Sequence, residues 1–235
     1  MMNTKGYIFD FGGTLDTAGC HWGKVLWHAY EAAGVPVDEQ QFRQAYVYAE
    51  RFLGAHSVIL PNFSFRQMLD AKLALELDFL SSQKLLPIHA DALHSLRSRL
   101  TDSLYQQVSR TIARNREVLA SLRQSFPLVL VSNFYGNMPV VLREFRLDDL
   151  FSAVIESAVV GVRKPDERIF QLGVKALRLK PEEVAVVGDS YEKDILPAHR
   201  LGCQTVWLKG EGWTDKQYDE TLPDKIIGSL DELLQ

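Results

Sequence analysis

The sequence predicts an α/β protein: a parallel sheet whose first strand is separated from the others by a long helical insertion. Three observations carry this. Short apolar runs bounded by turn residues recur at Gly6–Phe9, Leu128–Val131, Val154–Ile155, Val184–Val187 and Thr205–Leu208, each the length of a buried strand. Helical patterns lie between the later runs, and strand alternating with helix favours a parallel sheet with helices on both faces. The segment from Thr17 to about Asn115 has helical periodicity but no convincing strand.

In chain order, Trp22, Val25, Leu26, Ala29 and Ala33 form a helical stripe that stops at Gly34-Val35-Pro36. Asp38 with Gln41 reads as a capping box opening a helix towards Gly54, and Ser64 with Gln67 opens another. Further helical periods continue through Leu100 and Val108. After the second strand, helices are expected at Met138–Phe145, at Asp166–Leu179 and at Glu192–Leu201, the last ending on Gly202.

Composition narrows the class. The chain has 235 residues, 46% of them hydrophobic, and a formal net charge of -4, which allows one large domain or one domain with an insertion. No basic run suggests a nucleic-acid surface. Cys20 and Cys203 are far apart and in no CxxC motif, which argues against a disulfide framework or a zinc site. The N-terminal residues lack an apolar signal core, and no apolar run approaches the ~20 residues of a membrane span. A reduced, cytoplasmic enzyme is the expectation, with no nucleic-acid or membrane partner; oligomeric state is not readable.

Chemistry-bearing residues gather just past strand ends, where parallel sheets place their ligands. Asp10 ends the first strand and precedes Gly12-Gly13, whose backbone can turn tightly and bring amides close to an anion. Alone, Asp10 is as readily a solvated strand-end carboxylate as a nucleophile or metal ligand. Ser132-Asn133 follows the second strand, and its hydroxyl suits a phosphate oxygen or an ordinary turn. Lys164-Pro165 precedes a helix, where lysine is a point charge for phosphate or a surface residue. Gly188-Asp189-Ser190 follows another strand, and Asp194 lies five residues beyond Asp189. Two carboxylates so placed suit a hard cation such as magnesium.

Taken in order, FDFGGTL (Phe9–Leu15), VSN (Val131–Asn133), GVRKPDERIF (Gly161–Phe170) and VGDSYEKDI (Val187–Ile195) resemble the motifs of the haloacid dehalogenase-like (HAD) hydrolase superfamily. The match is to the branch with a helical cap inserted after the first strand, and it covers nearly the whole chain. The resemblance implies a Rossmann-like core domain of residues 1–16 and 115–235 and a helical cap of residues 17–114. It implies that Asp10 attacks phosphorus to form an aspartyl-phosphate and that Lys164 balances the charge. The N–H groups of Phe11 and Gly12, with Ser132 and Asn133, would bind the phosphate of a small phosphorylated metabolite. Mg2+ would be held by Asp10, the carbonyl of Gly12, Asp189 and Asp194.

One position departs from the pattern. Phosphatases of the superfamily usually carry at residue 12 a second aspartate, which protonates the leaving group and later activates water. Here it is Gly12. The metal contact survives because it uses the backbone; the acid/base does not, and such help is worth ~10²–10⁴ in rate. The favoured outcome is a phosphatase drawing its acid from water, substrate or a cap residue. Others are a preference for leaving groups needing no proton, a different bond cleaved, or a non-catalytic phosphate- or partner-binding protein of the same fold. Carbon–halogen cleavage fits poorly with the GDSxxxD pattern at Gly188–Asp194, and no cap lysine stands in a recognisable Schiff-base setting.

Cap candidates for substrate choice are His21, Trp22, Arg43, Tyr46 and Arg51. Trp22 also reads as core, and the two arginines as solvated helix charges. His21 or His28 is a weak substitute for the missing acid, and Asp16 reads as a cap for the next helix. Hinges are expected near Asp16–Thr17 and Arg114–Asn115.

Overall fold

A computed structural model describes residues 3–235; residues 1 and 2 of the expected core segment lie outside it. Six parallel strands form one sheet in the order β3-β2-β1-β4-β5-β6. They are β1 (Gly6–Phe9), β2 (Leu128–Ser132), β3 (Ala153–Glu156), β4 (Val184–Gly188), β5 (Gln204–Leu208) and β6 (Lys225–Ile227). This is the Rossmann-like sheet that the sequence predicts. The expected strands stand where the apolar runs lie; β6 was not anticipated. Its three residues, one of them lysine, are too few to show a period.

Both faces of the sheet are covered, as a parallel sheet requires. Alternate residues point to opposite faces. Tyr7, Phe9, Leu128, Leu130, Ala185 and Val187 join one apolar cluster with the cap helices. Ile8, Val129, Val131, Val184 and Val186 join another, with Ile169, Phe170 and Val174.

Four helices make up the insertion: α1 (Trp22–Ala32), α2 (Glu39–Ala55), α3 (Phe65–Ser82) and α4 (Ala90–Leu122). Both expected capping boxes are formed. Asp38 accepts from the N–H of Gln41, Ser64 accepts from that of Gln67, and each glutamine reaches back to the cap N–H. The core then adds α5 (Met138–Glu144), the short α6 (Ser157–Val160), α7 (Arg168–Leu177) and α8 (Leu196–Arg200), the last preceded by a π-helical turn at Tyr191–Ile195.

The expected hinge at Arg114–Asn115 is corrected. Helix α4 is continuous for 33 residues and runs through both. It packs against α1 and α3 and against the C-terminal turn Leu230–Leu234, and its buried residues share one apolar cluster with cap and sheet. Asn115 is buried and donates from Nδ2 to the carbonyl of Leu15 at 2.9 Å. Helical periodicity was visible through this region, but nothing in it marked which turns faced which domain.

The cap core contains a fully buried acid. Glu76 accepts from the hydroxyl of Tyr30 at 3.2 Å. Burial pushes its carboxyl from 4.5 up to about 7, against the pull of Lys72. The folded state therefore holds this proton through a range where the unfolded chain releases it, and stability falls as pH rises from 4.5 to about 7. Glu76→Gln should raise the melting temperature at about pH 8, where the full penalty applies, and leave it nearly unchanged near the ordinary carboxylate pKa. Thermal denaturation at the two pH values checks this; an equal shift at both would contradict it.

Candidate active site

The carboxyl ends of β1, β2 and β4 meet where the strand order reverses, at the place where open α/β sheets bind ligands. Asp10 follows β1, and its N–H donates to the carbonyl of Val187 on β4 at 3.0 Å. The chain then turns within Asp10–Leu15, with the N–H of Leu15 on the carbonyl of Phe11 at 2.8 Å. Gly13 has φ +101°, and a Cβ there would lie 2.4 Å from the Asp189 carboxyl; only glycine lets the two loops touch. Gly188 has the same role towards Asp194, whose Cβ would be 2.4 Å away.

Asp10, Asp189 and Asp194 each bring a carboxylate oxygen within 4.8 Å of the others. Lys164, 4% exposed, donates from Nζ to Asp10 Oδ1 at 2.5 Å and to Asp194 Oδ1 at 2.7 Å. Thr14 bridges the remaining pair. Its hydroxyl lies 3.0 Å from Asp189 Oδ1 and 3.3 Å from Asp10 Oδ2, and it accepts the N–H of Asp189 at 3.0 Å. Ser132 lies at the end of β2 on the same cavity, which has a volume of about 610 Å³.

Electrostatics in this pocket are out of balance. Burial pushes Asp10 up to about 6, against the ammonium of Lys164 and with the charge of Asp194. Burial, then Asp10 and Asp194, hold Asp189 well above the carboxylate range. Burial pulls Lys164 down, but Asp10 and Asp194 outweigh it and raise the amine above its usual value. One lysine does not neutralise three clustered acids, two of them buried, so the donor set fits a further hard divalent cation bound through oxygen.

A family model described as haloacid dehalogenase-like hydrolase matches residues 4–202. The chain belongs to the haloacid dehalogenase-like hydrolases. A glyceraldehyde 3-phosphate phosphatase of Pyrococcus furiosus is 41% identical over 91 residues, 38% of each chain. A phosphoserine phosphatase of Thermus thermophilus is 32% identical over 141 residues, 58% of this chain and 52% of that one. The chain thus spans about half the length, or less, of these two curated relatives. Haloacid dehalogenase-like hydrolase domain-containing protein 3 of Mus musculus is 27% identical, covering 86% of this chain and 81% of the mouse protein. Among solved structures, a dehalogenase with an intermediate complex shares the fold at TM-score 0.64 and 17% identity, covering 99% of this chain and 96% of that one. A HAD phosphatase from Thermococcus onnurineus does so at TM-score 0.52 and 22% identity, covering 98% and 96%.

Against this haloacid dehalogenase-like frame, most expected site residues converge: Asp10, Gly12, Ser132, Asn133, Lys164, Asp189 and Asp194 all line the cavity. Asn133 carries a role that the sequence did not specify. The amide of Asn133 is engaged with the backbone of Lys164, accepting its N–H at 2.9 Å and donating to its carbonyl at 3.0 Å. The side chain of Phe11 is fully buried, its ring centroid 5.6 Å from that of Phe134, so only its backbone is available for a ligand.

Of the cap candidates, His21, Trp22 and Tyr46 line the cavity, while Arg43 and Arg51 do not. Arg43 lies over the Trp213 ring, 4.1 Å from its centroid. Burial holds His21 neutral, down to about 4, and its Nδ1 accepts from the N–H of Gly23. His28 is exposed and bonded to Glu31 and Glu211.

Two residues were missed. Lys72 is 8% exposed, pairs with Glu50 and faces the cavity beside the Tyr46 ring. Burial pulls its amine down, but Glu50 prevails and holds it well above its usual range, which opposes Schiff-base chemistry. The other is Asp16. It does not cap α1, since His21 does. Asp16 is buried on the same cavity, and its offset of four from Gly12 was the signal available.

Lys164→Met would leave Asp10 and Asp194 buried without their ammonium. At neutral pH this should lower stability by roughly 3–5 kcal/mol. Removing Lys164 lifts the Asp10 carboxyl above the value of about 6 that it has in the native protein, so the variant takes up its proton first and the deficit should shrink as pH falls from alkaline values towards about 6. Urea denaturation across that range tests it; a pH-independent deficit would contradict it.

Proposed function

We propose that this protein is a magnesium-dependent phosphatase of small phosphorylated metabolites, working through an aspartyl-phosphate on Asp10. The observation that supports it most is the buried Lys164 ammonium 2.5 Å from Asp10 and 2.7 Å from Asp194, with Asp189 beside them. A nucleophilic carboxylate and a phosphate repel each other, and close approach needs compensating positive charge. Lys164 supplies part of it. A magnesium ion would be held by Asp10, Asp189, the carbonyl of Gly12 and, at the edge of the site, Asp194, and would supply the rest.

Each residue has a defined task in this reading. An Asp10 oxygen attacks phosphorus in line with the leaving group, and the new bond makes the aspartyl-phosphate. Ser132 and the N–H groups of Phe11 and Gly12 hold the phosphoryl oxygens, and Asn133 fixes the loop that carries Lys164. Water then releases phosphate and restores the carboxylate. The cap, residues 17–114, closes the cavity over the reacting atoms. Helix α4 continues from it into the core.

The phosphatase relatives are named for glyceraldehyde 3-phosphate and phosphoserine. Both are small organic phosphates, and a cavity of about 610 Å³ suits that class. Lys72 and Glu50 make its cap side polar, which favours a leaving group with its own charged or hydrogen-bonding groups. A cytoplasmic setting is consistent with two free cysteines and with no helix among the described residues being long and apolar enough to cross a membrane. Gly12 favours a second reading, a non-catalytic phosphate-binding protein of the same fold.

Phosphate release from acetyl phosphate and p-nitrophenyl phosphate separates the two readings. Turnover should require Mg2+, stop with chelator and fall by at least ~10³ in Asp10→Asn. Equal, negligible rates in native protein and variant, on these and on the two metabolites above, would favour the binding protein.

A further inference from the structure

We propose that Asp16 is the general acid and base of this site, taking the part that the side chain of residue 12 cannot. This rests on the phosphatase reading above and adds the origin of the proton.

The space left by Gly12 leads to Asp16. A Cβ at residue 12 would point at the indole of Trp22, with Nε1 at 3.9 Å and Cδ1 at 4.0 Å and nothing nearer. That same Nε1 donates to Asp16 Oδ2 at 2.9 Å. The carboxyl of Asp16 therefore stands across the gap that an aspartate at residue 12 would enter. The N–H of Gly13 donates to Oδ1 at 2.7 Å. Each oxygen thus accepts one N–H; in this proposal Oδ2 carries the proton, since an acid hydroxyl can accept from Trp22 while donating. Asp16 is 1% exposed yet lines the cavity with Asp10 and Gly12.

The two oxygens of Asp16 satisfy the N–H groups of Gly13 and Trp22, but no cation among the described residues balances the charge of the carboxylate. Asp16 caps no helix and has no ion-pair partner among the described residues. A buried acid without a cation is costly. Burial pushes this carboxyl up to about 7, against the donors from Gly13 and Trp22 and with the charge of Asp10. At neutral pH it is populated in both forms, which suits a group that must give a proton and then take one.

The other carboxyls on the cavity, and His21, fit the task less well. Asp10 and Asp194 are held by Lys164, and Asp189 by Thr14. Glu50 is paired with Lys72. Neutral His21 has one ring nitrogen engaged with Gly23.

The steps balance. As an Asp10 oxygen bonds to phosphorus and the ester P–O bond breaks, the Oδ2 proton of Asp16 passes to the leaving oxygen, releasing an alcohol. The Asp16 carboxylate then takes a proton from water as its oxygen attacks the aspartyl-phosphate. The P–O bond to Asp10 breaks, giving inorganic phosphate, an ionised Asp10 and a reprotonated Asp16.

The test is a series of phosphate esters graded by leaving group: phosphoserine, glycerol phosphate, phenyl phosphate and p-nitrophenyl phosphate, assayed on native protein and Asp16→Asn with Mg2+. The readout is kcat/KM, which reports phosphoryl transfer to Asp10. Alkoxide leaving groups need the proton and p-nitrophenolate does not. Asp16→Asn should therefore lose ~100-fold or more on the alkyl esters and less than ~3-fold on p-nitrophenyl phosphate. Gly12→Asp, added to Asp16→Asn, should restore the alkyl rates. Trp22→Phe removes the N–H that holds Oδ2 while keeping an aromatic ring in the packing, and should steepen the leaving-group dependence in the same sense, which keeps the test open if Asp16→Asn folds poorly. An equal loss on all four esters, or no loss, would overturn the proposal while leaving the phosphatase intact. A native protein inactive on all four and on acetyl phosphate would remove the phosphatase reading and this proposal with it.

Discussion

A single buried ammonium organises the site. Lys164 sits between Asp10 and Asp194 in a pocket holding a third carboxylate, Asp189. Three acids so close repel each other strongly, and a lone lysine offsets that repulsion only in part. The surrounding architecture follows from bringing these four groups together. Two adjacent strands, β1 and β4, deliver two of the acids. A π-helical turn brings the third back over Gly188, and Asn133 grips the lysine's backbone from the end of β2. The remaining excess of negative charge makes the pocket receptive to a divalent cation.

Losing the side chain at residue 12 does not leave the cavity without an acid. A carboxyl four residues on occupies the next position along the same loop, held by Gly13 and the Trp22 indole. Trp22 belongs to α1, the first helix of the cap. The proposed proton donor is therefore held in place partly by the cap, so that acid chemistry and cap position are joined through one indole N–H. A residue supplied from the loop alone would lack that coupling.

Much of this was legible in the residues. Five of the strands, the inserted helices and both capping boxes follow from periodicity and from particular polar residues at fixed offsets, because these are local properties. Asp10, Lys164, Asp189 and Asp194 were found because each falls at or near a strand or helix end and together they match an ordered set of motifs. Asp16 was read as a helix cap, since an aspartate before a helix usually is one; its burial and its bond to Trp22 depend on how the loop folds back. Lys72 looked like one of several cap lysines until packing set it against Glu50 and the cavity. The continuity of α4 was hidden for a related reason: a helix that changes partners midway keeps its period throughout.

The most direct test is to look for the covalent intermediate. Native protein mixed with acetyl phosphate and Mg2+, quenched in acid within milliseconds and digested, should show one phosphoryl group on the peptide carrying Asp10. The label should be absent from Asp10→Asn and should disappear on further incubation before the quench. A protein that releases phosphate while never labelling Asp10, or that labels a different residue, would contradict the central claim.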